Sequence, residues 1–254
     1  MSSFQILLLR LESPMQSWGQ RARWDIRDTG LEPTKSGVIG LIGSALGHSR
    51  DNPELERLDM ALTFGVRVDR PGILSTDFHT VTGYHRTAEG GFKHQGGTAN
   101  TIETAIKHKE STIVSQRDYL HDASFLVALA RKPDSLSVNH ILEDIAYCLR
   151  NPKWPLYLGR KSCVPSRPVY EDLTEEYPDI ESAFRTEPLS SVPASITARK
   201  AGLPGEPLQV MAWIEDAQGD FDRQDAMRIN QLRNYALRHC RRVTIETISL
   251  KRRD

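Results

Sequence analysis

Residues 4–11, FQILLLRL, place the tightest limit on the fold. Apolar side chains follow one another there without polar alternation, over a length that suits a strand and falls short of a membrane span. The run reads as a buried strand, central in a sheet. It lacks the basic flank and the cleavage site of a secretory leader, so the expected compartment is the cytoplasm, with no membrane contact.

The segments that follow decide which sheet. A Ser13-Pro14 break leads into MQSWGQRARW; residues 36–47 then read as a helix and 53–59 as a shorter one. Residues 61–69 alternate as a strand that ends at the turn Pro71-Gly72, and 123–130 read as another strand. Residues 137–152 form an amphipathic helix with Ile141, Ile145 and Leu149 stacked on one side. Between these lies a different composition. Residues 73–118 are rich in Ser, Thr and Gly and hold four of the eight histidines. Two β-prone arms flank a glycine-rich middle there, which reads as a long β-hairpin with a mobile tip, projecting from the body.

The order strand–helix–strand–arm–strand–helix suits an α+β sandwich of ferredoxin type, with helices on one face of the sheet. The other face then needs a cover or a ligand. Residues 1–152 make up this body, including the arm at 73–118, and 153–254 a smaller β-rich C-terminal part. That part holds a basic loop, an acidic surface-like stretch over 171–184, a Pro- and Ser-rich linker over 188–207, a strand over 208–216 and a strand pattern in RRVTIETISL.

Charge narrows the function classes. Lys+Arg and Asp+Glu both number 33, so a nucleic-acid site has to be a local patch. The neutral total hides a basic end: residues 223–254 carry nine Lys/Arg against three acids. Cys148, Cys163 and Cys240 are far apart and in no C-x-x-C pair, which fits a reducing compartment and excludes a disulfide scaffold or a cysteine-rich zinc site. No metal or cofactor motif stands out.

Residues 34–47, TKSGVIGLIGSALG, invite a phosphate reading. A Walker A loop has its lysine after the glycines, whereas Lys35 precedes them, and the spacing is not G-x-G-x-x-G. Glycines at 37, 40, 43 and 47 instead fall on one face of a helix. Something must come close to that face, either packed protein or a ligand, because helix-interior glycine costs about 0.5–1 kcal/mol relative to alanine. A free helix N-terminus at Thr34, Lys35 and Ser36 offers a phosphate site, with Gly37 and Gly40 beside it. Trp18, Arg21, Arg23, Trp24 and Arg27 interleave aromatics with arginines, as single-stranded nucleic-acid binders do, though core tryptophans with surface charges give the same pattern. In YLGRKSCVPSRP, Arg160, Lys161 and Arg167 bring three cations into a loop without an acid. On the arm, Tyr84, His85, Lys93 and His94 suit contact with RNA or a partner. The same four also have the residue types for metal-independent RNA cleavage by acid–base chemistry, although nothing in the sequence brings them together.

SPMQSWG (13–19), PTKSGVIGLIGSALG (33–47) and YLGRKSCVPSRP (157–168), in this order and spacing, resemble the RAMP-like crRNA-binding proteins of CasD type found in type I-E CRISPR Cascade. The resemblance covers essentially the whole chain. It implies a ferredoxin-like/RRM-like body with a β-hairpin thumb. It also implies a non-catalytic, cofactor-free subunit that holds the 5′ handle of the crRNA and touches the CasC backbone and the large CasA subunit, in a complex that holds target DNA. Carried onto this chain, residues 18–27, the glycine helix with Lys35 and Ser36, and the Arg160–Lys161 loop would line the handle, and the arm would be the thumb. Relatives in type I-C systems cut the guide themselves, so cleavage of repeat RNA through the arm histidines stands as the alternative.

Overall fold

The computed structural model describes residues 4–20, 26–133, 140–190, 208–229 and 233–247. Arg21, Arg23, Trp24, most of the 188–207 linker and the last residues of the basic end lie outside this set. In chain order the elements are β1 (Ile6–Glu12), β2 (Met15–Gln16), β3 (Ile26–Arg27), α1 (Lys35–Leu46), α2 (Glu54–Ala61), β4 (Leu62–Arg70), β5 (Ile73–Gly83), β6 (His85–Arg86), β7 (Phe92–His94), β8 (Gly97–Ala99), α3 (Ile102–Ala105), β9 (Ser111–His121), β10 (Ser124–Arg131), α4 (Ile141–Arg150), β11 (Tyr170–Thr174), α5 (Ile180–Thr186), β12 (Leu208–Glu215), β13 (Phe221–Ile229) and β14 (Arg233–Thr247).

Among the described residues the main sheet has seven strands in the order β11-β1-β10-β4-β12-β14-β13, every neighbouring pair antiparallel. The apolar run at the N-terminus is β1, and all seven of its residues are buried because both sheet faces are covered. Leu7, Leu9 and Leu11 join Phe125, Val127 and Leu129 under α1, α2 and α4. Ile6 and Leu8 join Leu126, Ala128 and Val210 on the opposite face. Burying each such side chain contributes roughly 1.5–3 kcal/mol, which fixes the strand's position more firmly than its propensity does.

The cover on that opposite face is α5, a departure from the sequence reading. The stretch 171–184 looks acidic and surface-like, yet it supplies β11 on the sheet edge and an α5 that buries Ile180, Ala183 and Phe184. The acids occupy only the outer positions, so composition hides the apolar stripe. Gly65 on β4 makes room for the helix, since a Cβ there would lie 2.7 Å from Ile180 and 3.1 Å from the Phe184 ring. Two arginines fasten its end: Arg67 donates to the carbonyls of Phe184 and Glu187, and both Arg67 and Arg10 pair with Asp69. These cations are buried, and their hydrogen-bonded carboxylate and carbonyl partners are what make burial tolerable.

The elements β1, α1/α2, β4, β10, α4 and β11 follow the connectivity βαββαβ, with β1 and β10 central. Strands from both sides of residue 152 share the sheet: β11 pairs with β1, and β12 pairs with β4 from Met211↔Val68 to Ile214↔Gly65. Between β4 and β10 the chain forms the arm, an eleven-residue antiparallel pairing of β5 with β9. Its far end carries the small sheet β6-β7-β8 and α3. Its root is fixed to the body, because β9 also pairs with β2 and, in parallel, with β3.

Candidate nucleic-acid interface

The three motifs singled out in the sequence meet in space. The 158–169 loop is stitched to the end of β1 and the residues after it by backbone bonds, Ser17 N to Leu158 O at 3.0 Å and Ser166 N to Glu12 O at 2.8 Å. Gly159 is the closest point. It has φ +99°, and a Cβ there would overlap the carbonyl of Ser17, so both conformation and space demand glycine. Trp18 then turns inward beneath α1, where Gly37 lets the helix approach to 3.0 Å of the ring as measured from an ideal Cβ.

These contacts leave a cleft of about 680 Å³ between the SWG segment, one flank of α1 and the Gly159–Arg160 turn. Among the described residues, Arg27, Arg50 and Arg160 line it against one acid, Asp28. Tyr157 and Tyr235 add aromatic surface. A cleft with this charge balance and these rings suits an anionic, base-bearing strand.

The residues expected to bind are distributed unevenly. Arg27, Ser36, Gly37, Gly40 and Arg160 line the cleft. Trp18 also borders it but is 1 % exposed, with its indole N–H donating to Gln16 Oε1 at 3.1 Å; it is a core tryptophan that shapes the wall, and its faces are not free for a base. Lys35 is a correction. Its ammonium is enclosed under the helix, donating to Leu62 O at 2.7 Å and Glu215 Oε2 at 2.9 Å, with Asp59 Oδ2 at 3.9 Å. Burial pushes its pKa down, and the nearby carboxylates oppose that shift. Lysine at the first helical position has its apolar stem directed into the core, and the acids that receive its charge come from α2 and β12, distant in sequence.

The phosphate reading of the helix N-terminus is corrected in the same way. Thr34 is the cap, accepting from Gly37 N at 3.2 Å, and Asp225 Oδ2 accepts from Lys35 N at 2.8 Å while Arg238 donates to both oxygens of the same carboxylate. An internal carboxylate already complements the helix dipole.

Arg160 is committed differently from a free phosphate ligand. Its fork donates to Asp118 O at 2.9 Å and Arg27 O at 2.7 Å, and its plane lies 4.7 Å from the Tyr119 ring centroid. It thereby joins the loop to the root of the arm, and because the acceptors are neutral its charge remains. Lys161 is exposed beside it, whereas Arg167 is paired with Glu171 at 2.6 Å. Tyr84, His85, Lys93 and His94 are not among the lining residues; they belong to the far part of the arm. His85 and Lys93 are cross-strand partners, His94 stacks on His108 with centroids 4.1 Å apart, and Tyr84 donates its hydroxyl to His108 O at 3.0 Å. Arg50 and Tyr235 also line the cleft without any signal in the sequence: one follows the glycine that ends α1, the other sits in β14, and neither has a motif around it.

Residues 6–241 match the family described as CRISPR-associated protein (Cas_Cas5). The chain is 35% identical over 173 residues to the CRISPR system Cascade subunit CasD of Escherichia coli (strain K12), a stretch covering 65% of this chain and 69% of that one. Among solved structures it is similar to a chain of a CRISPR RNA-guided surveillance complex, with TM-score 0.65 and 29% identity over 96% of this chain and 91% of that one. It is also similar to a Cas protein crystal structure, with TM-score 0.61 and 32% identity over 95% of each chain.

Proposed function

The chain belongs to the CRISPR-associated Cas5 family, as a non-catalytic RNA-binding subunit of Cascade, and we propose that its cleft between residues 17–19, α1 and the Gly159–Arg160 turn holds the 5′ handle of the guide RNA. The observation that carries this reading is the convergence of three separated motifs on one cleft that, among the described residues, is lined by three arginines and one acid. The body is ferredoxin-like, a reading supported by the βαββαβ order with β1 and β10 central. The arm serves as a thumb toward neighbouring subunits of the complex, the CasC-type backbone and the CasA-type large subunit, and the assembled particle holds target DNA in the cytoplasm. Photocrosslinking of a guide RNA substituted along its handle, followed by mapping of the adducts, tests the assignment. Adducts in residues 17–50 and 157–161 support it. Adducts confined to the arm tip refute it.

A further inference from the structure

Arg160 stands where the cleft meets the arm. Among the described residues, sheet pairing ties the root of the arm to the body at two places, β2 at Leu120 and His121 and β3 at Gln116 and Arg117. The pairing of β3 with β9 stops at Arg27↔Arg117. There Arg160 takes over, donating to Asp118 O on β9 at 2.9 Å and to Arg27 O on β3 at 2.7 Å, with Asp28 O at 3.4 Å. The Ser17 hydroxyl donates to the same Asp118 carbonyl at 3.3 Å. A guanidinium thus bridges the two strands at the point where their backbones part.

The turn that carries Arg160 is fixed. Gly159 lies against the Ser17 carbonyl, and the Arg160 carbonyl accepts from Cys163 N at 2.8 Å. What the guanidinium holds is a lever. From Asp118 to Ser111 at the start of β9 the strand runs about 24 Å at about 3.4 Å per residue, so a tilt of about 10° at the root moves that end by about 4 Å.

The same side chain also faces the cleft. A guanidinium has five N–H groups, and the three bonds to neutral carbonyls leave two of them, with the positive charge, for an anion there. Whichever contact forms first orders the side chain, and the other then costs less rotamer entropy.

We propose that Arg160 is a positioning residue that couples the cleft to the arm: RNA in the cleft fixes its guanidinium, which then holds Asp118 and Arg27, and with them the root of the arm, in one orientation. The inference rests on the RNA-binding reading above and adds what a filled cleft does to the arm. Linkage makes the effect reciprocal, so a partner that holds the arm in this orientation tightens RNA in the cleft by the same factor.

The test is amide hydrogen exchange on the purified full chain, wild type and Arg160→Lys, with and without saturating single-stranded CRISPR-repeat RNA. Fluorescence anisotropy follows RNA binding separately. In wild type, RNA is expected to slow exchange in β5 and β9 about fivefold or more, the low end of couplings between linked sites. Lysine keeps the charge but lacks the planar fork that reaches two strands at once. At RNA concentrations that saturate it, Arg160→Lys is expected to protect α1 and residues 157–161 yet to leave exchange in β5 and β9 as it is without RNA. RNA that touched the arm directly would protect it equally in both proteins, and that result overturns the coupling. So does wild type that binds RNA with no change in β5 and β9. If wild type takes up no repeat RNA, the RNA-binding reading fails along with the inference.

Discussion

Asp59 offers a test of how the cleft helix is held from below. Its side chain is buried in α2 beneath Lys35, with Oδ1 lacking a hydrogen-bond partner among the described residues. Burial raises its pKa from 3.8 to about 6, with Lys35 and the Met227 backbone pulling the other way. The sign follows from proton counting. Between pH 4 and 6 the folded state keeps this proton while the unfolded chain has lost it, so folding stability falls as pH rises through that window. A shift of about two units at 1.36 kcal/mol each gives a swing of about 3 kcal/mol, complete by pH 7. Asp59→Asn removes the titration and leaves Lys35 with Glu215 at 2.9 Å. The stability of this variant relative to wild type is therefore expected to improve by about 3 kcal/mol between pH 4 and pH 7, whatever the absolute offset from the lost ion pair. Urea melts of both proteins at half-unit pH intervals measure it. Parallel pH profiles for the two would refute the reasoning, and a difference of opposite sign would mean that Lys35 dominates and holds the carboxylate ionised below its ordinary range.

Gly159→Ala puts a Cβ into the Ser17 carbonyl at a φ of +99°, so a loss of about 3 kcal/mol or more is expected in chemical denaturation, with RNA retention falling alongside as the cleft wall opens. Phe184→Ala empties the cover over the second sheet face and should cost about 3–5 kcal/mol in the same assay without changing the salt dependence of RNA binding. Lys161→Glu reverses an exposed charge beside Arg160, and it should weaken handle retention most at low salt with an unchanged Tm; retention equal to wild type at every salt concentration would remove that loop from the interface.

The legible and illegible parts of the sequence divide along a physical line. β1, β4, β10 and α4 were readable because burial imposes a period, or abolishes one, over seven residues or more. The α5 cover was not, because two turns of helix need only Ile180, Ala183 and Phe184 on one side, and the acids around them dominate any average. β13 escaped for a related reason: in FDRQDAMRI the charges of Arg223 and Asp225 point to partners, Glu32 and Arg238, that lie on other strands and loops.

The site divides in the same way. Its motifs were legible as segments, since tight backbone approach leaves glycine at 37 and 159 and no other residue substitutes. The roles of individual cations were not, because a lysine or arginine has the same composition whether its charge meets solvent, a carbonyl or a buried acid. Lys35 and Arg160 look alike as basic residues beside glycines, yet one is anchored to Glu215 in the core and the other to the carbonyls of Asp118 and Arg27. What separates them is the partner strand, β12 in one case and the arm root in the other, and those partners are 180 and 42 residues away in the chain. The cleft thus depends on two long-range anchors. Lys35 and Asp225 hold the N-terminal end of α1 against the C-terminal hairpin, and Arg160 holds the opposite wall against the arm, so displacement of either partner surface would reshape the cleft.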